Sequence, residues 1–184
     1  MKALEAIHSR TSSPRLTEPA PSGEVLENIF RAAFRAADHG LLRPWRFLTI
    51  QDESRNRLGE LFAQAALADD PELSEQQLEK IRNKPLRAPL LIVTVSSIQQ
   101  HPKVPPFEQD LSAAAATQNM LLAAHAQDVG AMWRTGSMAY HPAVMKGLGL
   151  SDSEKIIGFL YLGTATGPRK PIREIELADF VQEW

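Results

Sequence analysis

The sequence contains no cysteine among its 184 residues. Disulfide bonds, thiol nucleophiles and cysteine-ligated metals are therefore excluded. Histidines are also few, and none of them shows the spacing that is typical of metal ligands. The five are His8, His39, His101, His125 and His141. The sequence thus contains neither a disulfide framework nor a recognisable metal site.

Several catalytic and nucleotide-binding motifs are also missing. There is no Walker loop, no G-x-G-x-x-G fingerprint after a predicted strand, and no G-x-S-x-G nucleophile elbow. The glycines Gly147 and Gly149 are better interpreted as the end of a short helix than as a phosphate loop. The chain therefore has no separate dinucleotide-binding unit and no hydrolytic triad motif.

Composition and charge give no reason to expect a polyanionic partner or a membrane. The net charge is -2, and hydrophobic residues make up 43% of the chain, as in soluble globular proteins. No apolar run is long enough to span a bilayer, and the first ten residues are too polar for a signal peptide. We expect one cytoplasmic domain, residues 1–184, that binds neither nucleic acid nor membrane.

Hydrophobic periodicity predicts alternating helices and strands. A short helix is predicted at 2–9, with Leu4 and Ile7 facing inward, and a second helix begins after Ser22 and ends at Gly40. The other predicted elements are helices at 52–68, 74–83 and 107–128, a small helix from Pro142, and strands at 45–50, 90–95, 131–136 and 156–162. The run at 90–95 is almost entirely apolar, which indicates a central strand covered on both faces.

A polar loop joins the second helix to the first predicted strand. Pro44 is expected to hold Arg43 in an extended conformation at the start of that strand. Arg35, His39, Arg43 and Arg46 then lie between two rigid elements. Such a position suits a bound anion or the polar edge of a ligand.

A second cationic stretch, residues 10–15, follows the first helix. It places Arg10 and Arg15 on either side of three hydroxyl residues, and guanidinium groups bind phosphate oxygens in a bidentate fork. A solvated turn with a helix cap is the alternative interpretation. The long helix at 107–128 is rich in alanine and permits close approach of a backbone or a flat ligand, although a buried core helix explains the alanines equally well. His125 within it is interpreted as a structural histidine.

Taken together, five segments resemble the small flavin-dependent nitroreductases. They are SRTSSPR, ADHGLLRPWRF, KVPPFEQDLSAAAATQNM, GAMWRTG and IIGFLYLGT, and they cover nearly the whole chain. In this family a Gln-Pro-Trp-like triplet enters the first strand, whereas this chain has Arg43-Pro44-Trp45. The resemblance implies a homodimer that binds FMN between its two subunits.

The resemblance also implies roles for individual residues. Arg10, Thr11 and Ser12 would hold the phosphate and ribityl end of FMN, Arg35 and His39 would reach it from the partner subunit, and Trp133, Arg134 and Thr135 would line it. Pro14 stands where the family has a basic residue, so Arg15 would have to replace that residue. Arg169 matches a late phosphate-binding residue of larger relatives, and Lys84, Arg87 and Lys170 are further candidates for flavin contacts.

The implied fold is α+β, with three layers, a mostly antiparallel sheet flanked by helices, and a C-terminal tail that wraps the dimer partner. The implied activity is FMN-dependent reduction of nitroaromatic or quinone-like acceptors by NADH or NADPH in a ping-pong scheme. A cation near the flavin would stabilise the charge that the flavin gains on reduction. Two alternatives remain open, namely a non-catalytic flavin-binding dimer and a relative with other flavin chemistry, such as dehalogenation.

Overall fold

The computed structural model describes residues 1–168 and 170–184, so the prediction for Arg169 lies outside the described residues. The helices are α1 (Ala3–Ser9), α2 (Gly23–Ala33), α3 (Glu53–Asp69), α4 (Glu75–Arg82), α5 (Pro106–Ala126) and α6 (Pro142–Gly147). The strands are β1 (Leu16–Thr17), β2 (Trp45–Gln51), β3 (Leu90–Ser97), β4 (Gly130–Arg134) and β5 (Glu154–Ala165). The predicted helices and the four predicted strands are confirmed as elements.

The five strands form one sheet in the order β1-β5-β3-β2, and β4 also pairs with β5. Each pairing among the described residues is antiparallel. The apolar strand β3 lies between β5 and β2, and Leu90 to Val93 are completely buried. The predicted α+β class and the central position of this strand are confirmed.

In the described part of the chain, two hydrophobic cores cover the two faces of the sheet, because successive side chains of a strand point to opposite faces. Leu91 and Val93 of β3 pack in a core with Phe62 of α3. Leu90 and Ile92 pack in the other core, which contains Ile29 of α2 and Met120 of α5. Helices therefore lie on both sides of the sheet, which confirms the predicted three layers.

Three local predictions are wrong. Leu4 and Ile7 are 68% and 53% exposed, since α1 is a surface helix that buries only Ala6. Helix α2 ends at Ala33 rather than at Gly40, although Gly40 does adopt a positive φ of 77° in a later 3-10 turn. Arg43 is not extended, and its φ is +50°.

Local hydrogen bonds explain the backbone of Arg43. Its N–H donates to the Asp38 carboxylate at 2.7 Å, and its carbonyl accepts the N–H of Trp45 at 2.7 Å. These two bonds close a tight turn on each side of Arg43 and outweigh the extended preference of a residue before proline.

The C-terminal tail, residues 170–184, has little regular structure beyond a 3-10 turn at Leu177–Asp179. Its apolar side chains are exposed, among them Ile175, Phe180 and Trp184. Wrapping of this tail around a partner stays a prediction. No helix in the described part of the chain combines the length and the apolar character that crossing a membrane requires.

Candidate functional site

The segment after α1, Arg10–Ser13, runs beside β4. The N–H of Arg10 bonds to the carbonyl of Ala6 at 3.1 Å and closes α1, and the N–H of Ser13 donates to the carbonyl of Ala131 at 2.9 Å. Thr11 and Ser12 are half-buried, and their hydroxyls form no side-chain hydrogen bond within residues 1–168 and 170–184. The predicted Arg10-Thr11-Ser12 group therefore lies at the start of β4 with hydroxyls available to a ligand.

The side chains of β4 point to opposite faces of the sheet. Trp133 packs against the core that contains α2 and α5, and its indole N–H donates to the carbonyl of Ile157 at 3.2 Å. Gly158 leaves room for this ring, because a Cβ there would lie 2.0 Å from the indole nitrogen. The Trp133 side chain, which is partly buried, thus anchors β4 to the core, and its contact with a flavin stays a prediction.

Arg134 faces the other way and borders a cavity of about 230 Å³. Its guanidinium carbon lies 5.3 Å from the centroid of the Tyr161 ring, within the range of a cation–π contact. Its Nε is buried and has no hydrogen-bond partner among the described residues. A buried donor without a partner is unfavourable, so this atom indicates that an acceptor belongs in the cavity.

The same cavity is positively charged. Lys84 and Arg87 line it together with Arg134, and no carboxylate residue is among its described lining residues. Burial raises the pKa of the Tyr161 hydroxyl above its ordinary value, while the charges of Arg134 and Arg87 act in the opposite direction. The hydroxyl is therefore neutral at physiological pH and can donate or accept a hydrogen bond.

A much smaller cavity, of about 30 Å³, separates Arg10 from the C-terminal end of α5. This volume holds about one water molecule. His125 borders it, and its Nε2 lies 2.9 Å from the Ser9 hydroxyl. The interpretation of His125 as a structural histidine agrees with this contact between α5 and α1.

His39 lies at the opposite end of α5, and Arg35 lies just after α2. The Nδ1 atom of His39 is 2.6 Å from a carboxylate oxygen of Glu108, which belongs to the first turn of α5. Arg35 is exposed and has no ion pair within the described part of the chain. Beside them is a cavity of about 780 Å³. Its lining residues are Phe34, Arg35, Ala36, Asp38, Leu41, Arg43, Trp45, Arg46 and Phe47.

One of these arginines is already paired. Arg46 donates to both carboxylate oxygens of Glu154, at 2.5 and 2.8 Å, and so joins β2 to β5. This hydrogen bond, assisted by the N–H of Ser151 and opposed by burial, lowers the pKa of Glu154 to about 2. Arg46 therefore has a structural role.

Comparison with known proteins identifies the family. The sequence model of the Nitroreductase family matches residues 7–164. The chain belongs to the nitroreductase family. A candidate NAD(P)H nitroreductase of Escherichia coli K12, YdjA, is 44% identical over 164 residues, which cover 89% of this chain and 88% of the relative. A candidate NAD(P)H nitroreductase of Haemophilus influenzae is 40% identical over 185 residues and 98% of each chain.

Solved structures show the same fold. The nitroreductase-like family protein of Bacillus cereus superimposes with a TM-score of 0.85 at 20% identity, over 100% of this chain and 96% of that one. A candidate nitroreductase of Desulfovibrio desulfuricans, solved in complex with FMN, gives a TM-score of 0.74 at 25% identity, over 100% and 97% of the two chains. The nitroreductase-like fold expected from the sequence is confirmed.

The predicted site residues of this nitroreductase form two separate groups. Arg10, Thr11 and Ser12 join β4 at one end of α5, whereas His39 contacts Glu108 at the other end. Glu108 and His125 are 17 positions apart along α5, and a helix rises 1.5 Å per residue, so the two ends are about 25 Å apart. One chain therefore does not bring the two groups together.

Sequence reasoning missed part of the cavity under β4. Tyr161 and Phe159 line it, and both belong to a strand whose near-continuous apolar run conceals which side chains face a ligand. The pairing of Met132 with Tyr161, and of Arg134 with Phe159, brings them to the cavity. That register depends on strand pairing across distant segments and is not encoded by a local motif. Thr135, Lys84 and Arg87 also line this cavity, and their contacts with a flavin stay predictions.

Proposed function

We propose that this nitroreductase family member is an FMN-dependent oxidoreductase that uses NADH or NADPH to reduce nitroaromatic or quinone-like acceptors. The observation that carries the proposal is the cationic cavity under β4, in which the buried Nε of Arg134 has no partner among the described residues. Family membership and the FMN complex of the Desulfovibrio desulfuricans relative support it.

The cavity fits the pyrimidine edge of a flavin. Lys and Arg side chains are donors only, so Lys84, Arg87 and Arg134 require a ligand edge that presents acceptor atoms. The pyrimidine edge carries such carbonyl oxygens. Positive charge held in a partly buried cavity also stabilises negative charge that develops on a ligand bound there. The residues present therefore match an oxidised flavin and favour its reduction.

The phosphate end is assigned to the segment beside the start of β4. Arg10 with the hydroxyls of Thr11 and Ser12 would bind it, since a phosphate dianion requires several charge-assisted donors. Arg15 is exposed, and its guanidinium lies beside Gly167. A Cβ atom added to Gly167 would be only 2.9 Å from the nearest guanidinium nitrogen. Arg15 can supply the second cation that Pro14 cannot.

When bound, FMN supplies the hydride-transfer chemistry of the reaction. The side chains of the protein bind, orient and stabilise charge, and none of them needs to act as a general acid or base. Nicotinamide donor and acceptor use one site in turn, so turnover follows a ping-pong scheme.

The functional unit is a homodimer in this proposal. Arg35 and His39 of one subunit complete the site of the other, because His39 contacts the N-terminal end of α5, about 25 Å from the C-terminal end that lies beside Arg10. The tail, residues 170–184, has its apolar side chains exposed, including Phe180 at 77%, and requires burial elsewhere. Wrapping around the partner subunit provides that burial.

Anaerobic spectroscopy tests the activity. The purified protein should bind oxidised FMN, NADH or NADPH should bleach its visible absorbance, and a nitroaromatic or quinone should restore it. Steady-state plots at several acceptor concentrations should give parallel lines, and excess acceptor should inhibit competitively with the nicotinamide.

Two outcomes would contradict parts of this proposal. Intersecting lines would indicate a ternary complex and a separate nicotinamide site. FMN that binds but is reduced by neither nucleotide would exclude the oxidoreductase assignment and favour a non-catalytic flavin-binding protein.

A further inference from the structure

The large cavity beside Arg35 has a chemistry that flavin binding does not explain. Three aromatic rings line it, those of Phe34, Trp45 and Phe47, and Phe34 and Phe47 are 6.4 Å apart between ring centroids. Its volume of about 780 Å³ is that of a small-molecule binding site. Planar aromatic walls favour a ligand with a flat ring.

The charge balance of this cavity is positive. Arg46 is committed to Glu154, whereas Arg35 and Arg43 form no ion pair within the described part of the chain. Asp38 is the carboxylate among the described lining residues, and one of its oxygens accepts the backbone N–H of Arg43 at 2.7 Å. The Arg43 guanidinium is exposed at the cavity and available to an anion.

The loop that carries Arg43 is held in an unusual conformation. Leu41 and Arg43 both have positive φ, +54° and +50°, which side chains other than glycine rarely adopt. The loop is tied down by Asp38 at one point and at another by Gln99, whose amide donates to the Leu42 carbonyl at 2.6 Å. Strained backbone that its surroundings maintain is concentrated at ligand sites.

We propose that Arg43 is a specificity-determining residue that binds an anionic oxygen group on an aromatic substrate. The inference rests on the proposed function, because Arg35 of the same cavity is the residue that would reach the flavin of the partner subunit. Two sources have the required chemistry, a carboxylate on an aromatic acceptor and the adenosine 2′-phosphate of NADPH. A guanidinium binds either of them through a bidentate fork.

Arg43→Gln in the FMN-loaded protein is the test variant. Glutamine keeps much of the length of the arginine side chain but lacks its charge. Like arginine, it is disfavoured at the positive φ of this position, so the backbone strain is unchanged. Arg31→Gln is the matched control, since Arg31 lies on α2, pairs with Glu27 at 2.5 Å and does not line this cavity. Both variants lose one positive charge, so a general electrostatic effect would appear in both.

Calorimetry measures binding without turnover for two matched pairs of ligands. Benzoate is compared with benzamide, and adenosine 2′,5′-bisphosphate with adenosine 5′-monophosphate. In one of the two pairs, Arg43→Gln should lower the affinity for the more highly charged ligand by about tenfold or more. The affinity for its counterpart should fall by less than about twofold. The pair that responds identifies the source of the anion.

Kinetics provide the second arm. The selectivity, as a ratio of kcat/KM, for 4-nitrobenzoate over 4-nitrobenzamide, or for NADPH over NADH, should fall by a similar factor in Arg43→Gln and stay constant in Arg31→Gln. Unchanged discrimination in both calorimetric pairs, or an equal loss in the control variant, would overturn the proposal. If neither NADH nor NADPH reduced the FMN of the unaltered protein, that result would instead refute the proposed function, and calorimetry would still decide the role of Arg43.

Discussion

The two ends of α5 carry two different kinds of half-site. At the C-terminal end, Arg10 and its neighbouring hydroxyls lie on backbone that is hydrogen-bonded directly to β4. At the N-terminal end, His39 lies on a loop that is held by the side chains of Glu108 and Asp38, and Arg35 precedes this loop just after α2. The first half-site is an extension of the sheet, and the second is a tethered surface loop.

This difference leads to a prediction of the subunit on which each half-site acts. The sheet-bound half is hydrogen-bonded to β4, the strand that also carries Arg134, so we expect it to position a cofactor within its own subunit. The loop-bound half presents Arg35 to solvent, and its His39 contacts the other end of α5, so we expect this half to act on a neighbouring subunit. We therefore expect each FMN to need one half-site from each of two chains.

Subunit complementation tests whether each FMN site takes one half-site from each of two chains, and it should give the largest effect. Arg10→Ala and Arg35→Ala each impair every site of their own homodimer. In heterodimers of the two variants, one site carries both changes and the other carries neither. Random mixing should therefore restore about a quarter of the tight FMN sites. Flavin fluorescence titration, at a protein concentration between the wild-type and variant Kd values, measures the restored fraction.

The control is a mixture of two preparations of the same variant, which should restore nothing. If both half-sites acted within one chain, the heterodimer would also restore nothing. That result would remove the basis for assigning Arg35 and His39 to the partner subunit.

The sequence predicted the architecture well because the cores are made of periodic, local patterns. The apolar run of β3 and the inward face of α3, with Leu58 and Phe62, need only the side-chain periods of strands and helices. The family resemblance alone predicts flavin contacts for Arg10, Arg35 and Arg134. Their roles remain predictions, while the family and fold are established.

The failures have a common physical origin, which is competition between local preference and specific contacts. Arg43 was expected to be extended before Pro44, but bonds to Asp38 and Trp45 hold it at a positive φ. Leu4 and Ile7 were expected to be inward, but the surface that would cover them is not provided by the described part of this chain. The two-residue strand β1 was missed because its pairing with β5 spans almost the whole sequence.

Removal of the Arg10 side chain tests whether the sheet-bound half-site binds the FMN phosphate. Arg10→Ala should weaken FMN binding by about 10- to 100-fold, because it deletes a charge-assisted contact to the phosphate. Riboflavin lacks the phosphate, so its affinity should change little. Equal losses for FMN and riboflavin would show that Arg10 is structural.

Acid titration gives the smallest effect and probes the loop-bound end, where Arg46 and Glu154 join β2 to β5 beneath the cavity. The pKa of Glu154 is lowered from 4.5 to about 2 in the folded state. The stability from this pair is therefore fully present above about pH 4.5 and is lost as the pH falls towards 2. The Arg46 side chain is 36% exposed, so solvent screens the ion pair and reduces its contribution to the free energy of unfolding to about 1–3 kcal/mol.

Glu154→Gln isolates this contribution from the other carboxylates. Urea unfolding from pH 7 to pH 2.5 should show the wild-type protein to be more stable near neutrality, with an advantage over the variant that declines below pH 4.5. Hydrogen exchange should locate the acid-induced loss at the start of β2 rather than in β4, because the ion pair does not touch the sheet-bound half-site. A stability difference between the two proteins that stays constant down to pH 2.5 would show that the ion pair has no such role.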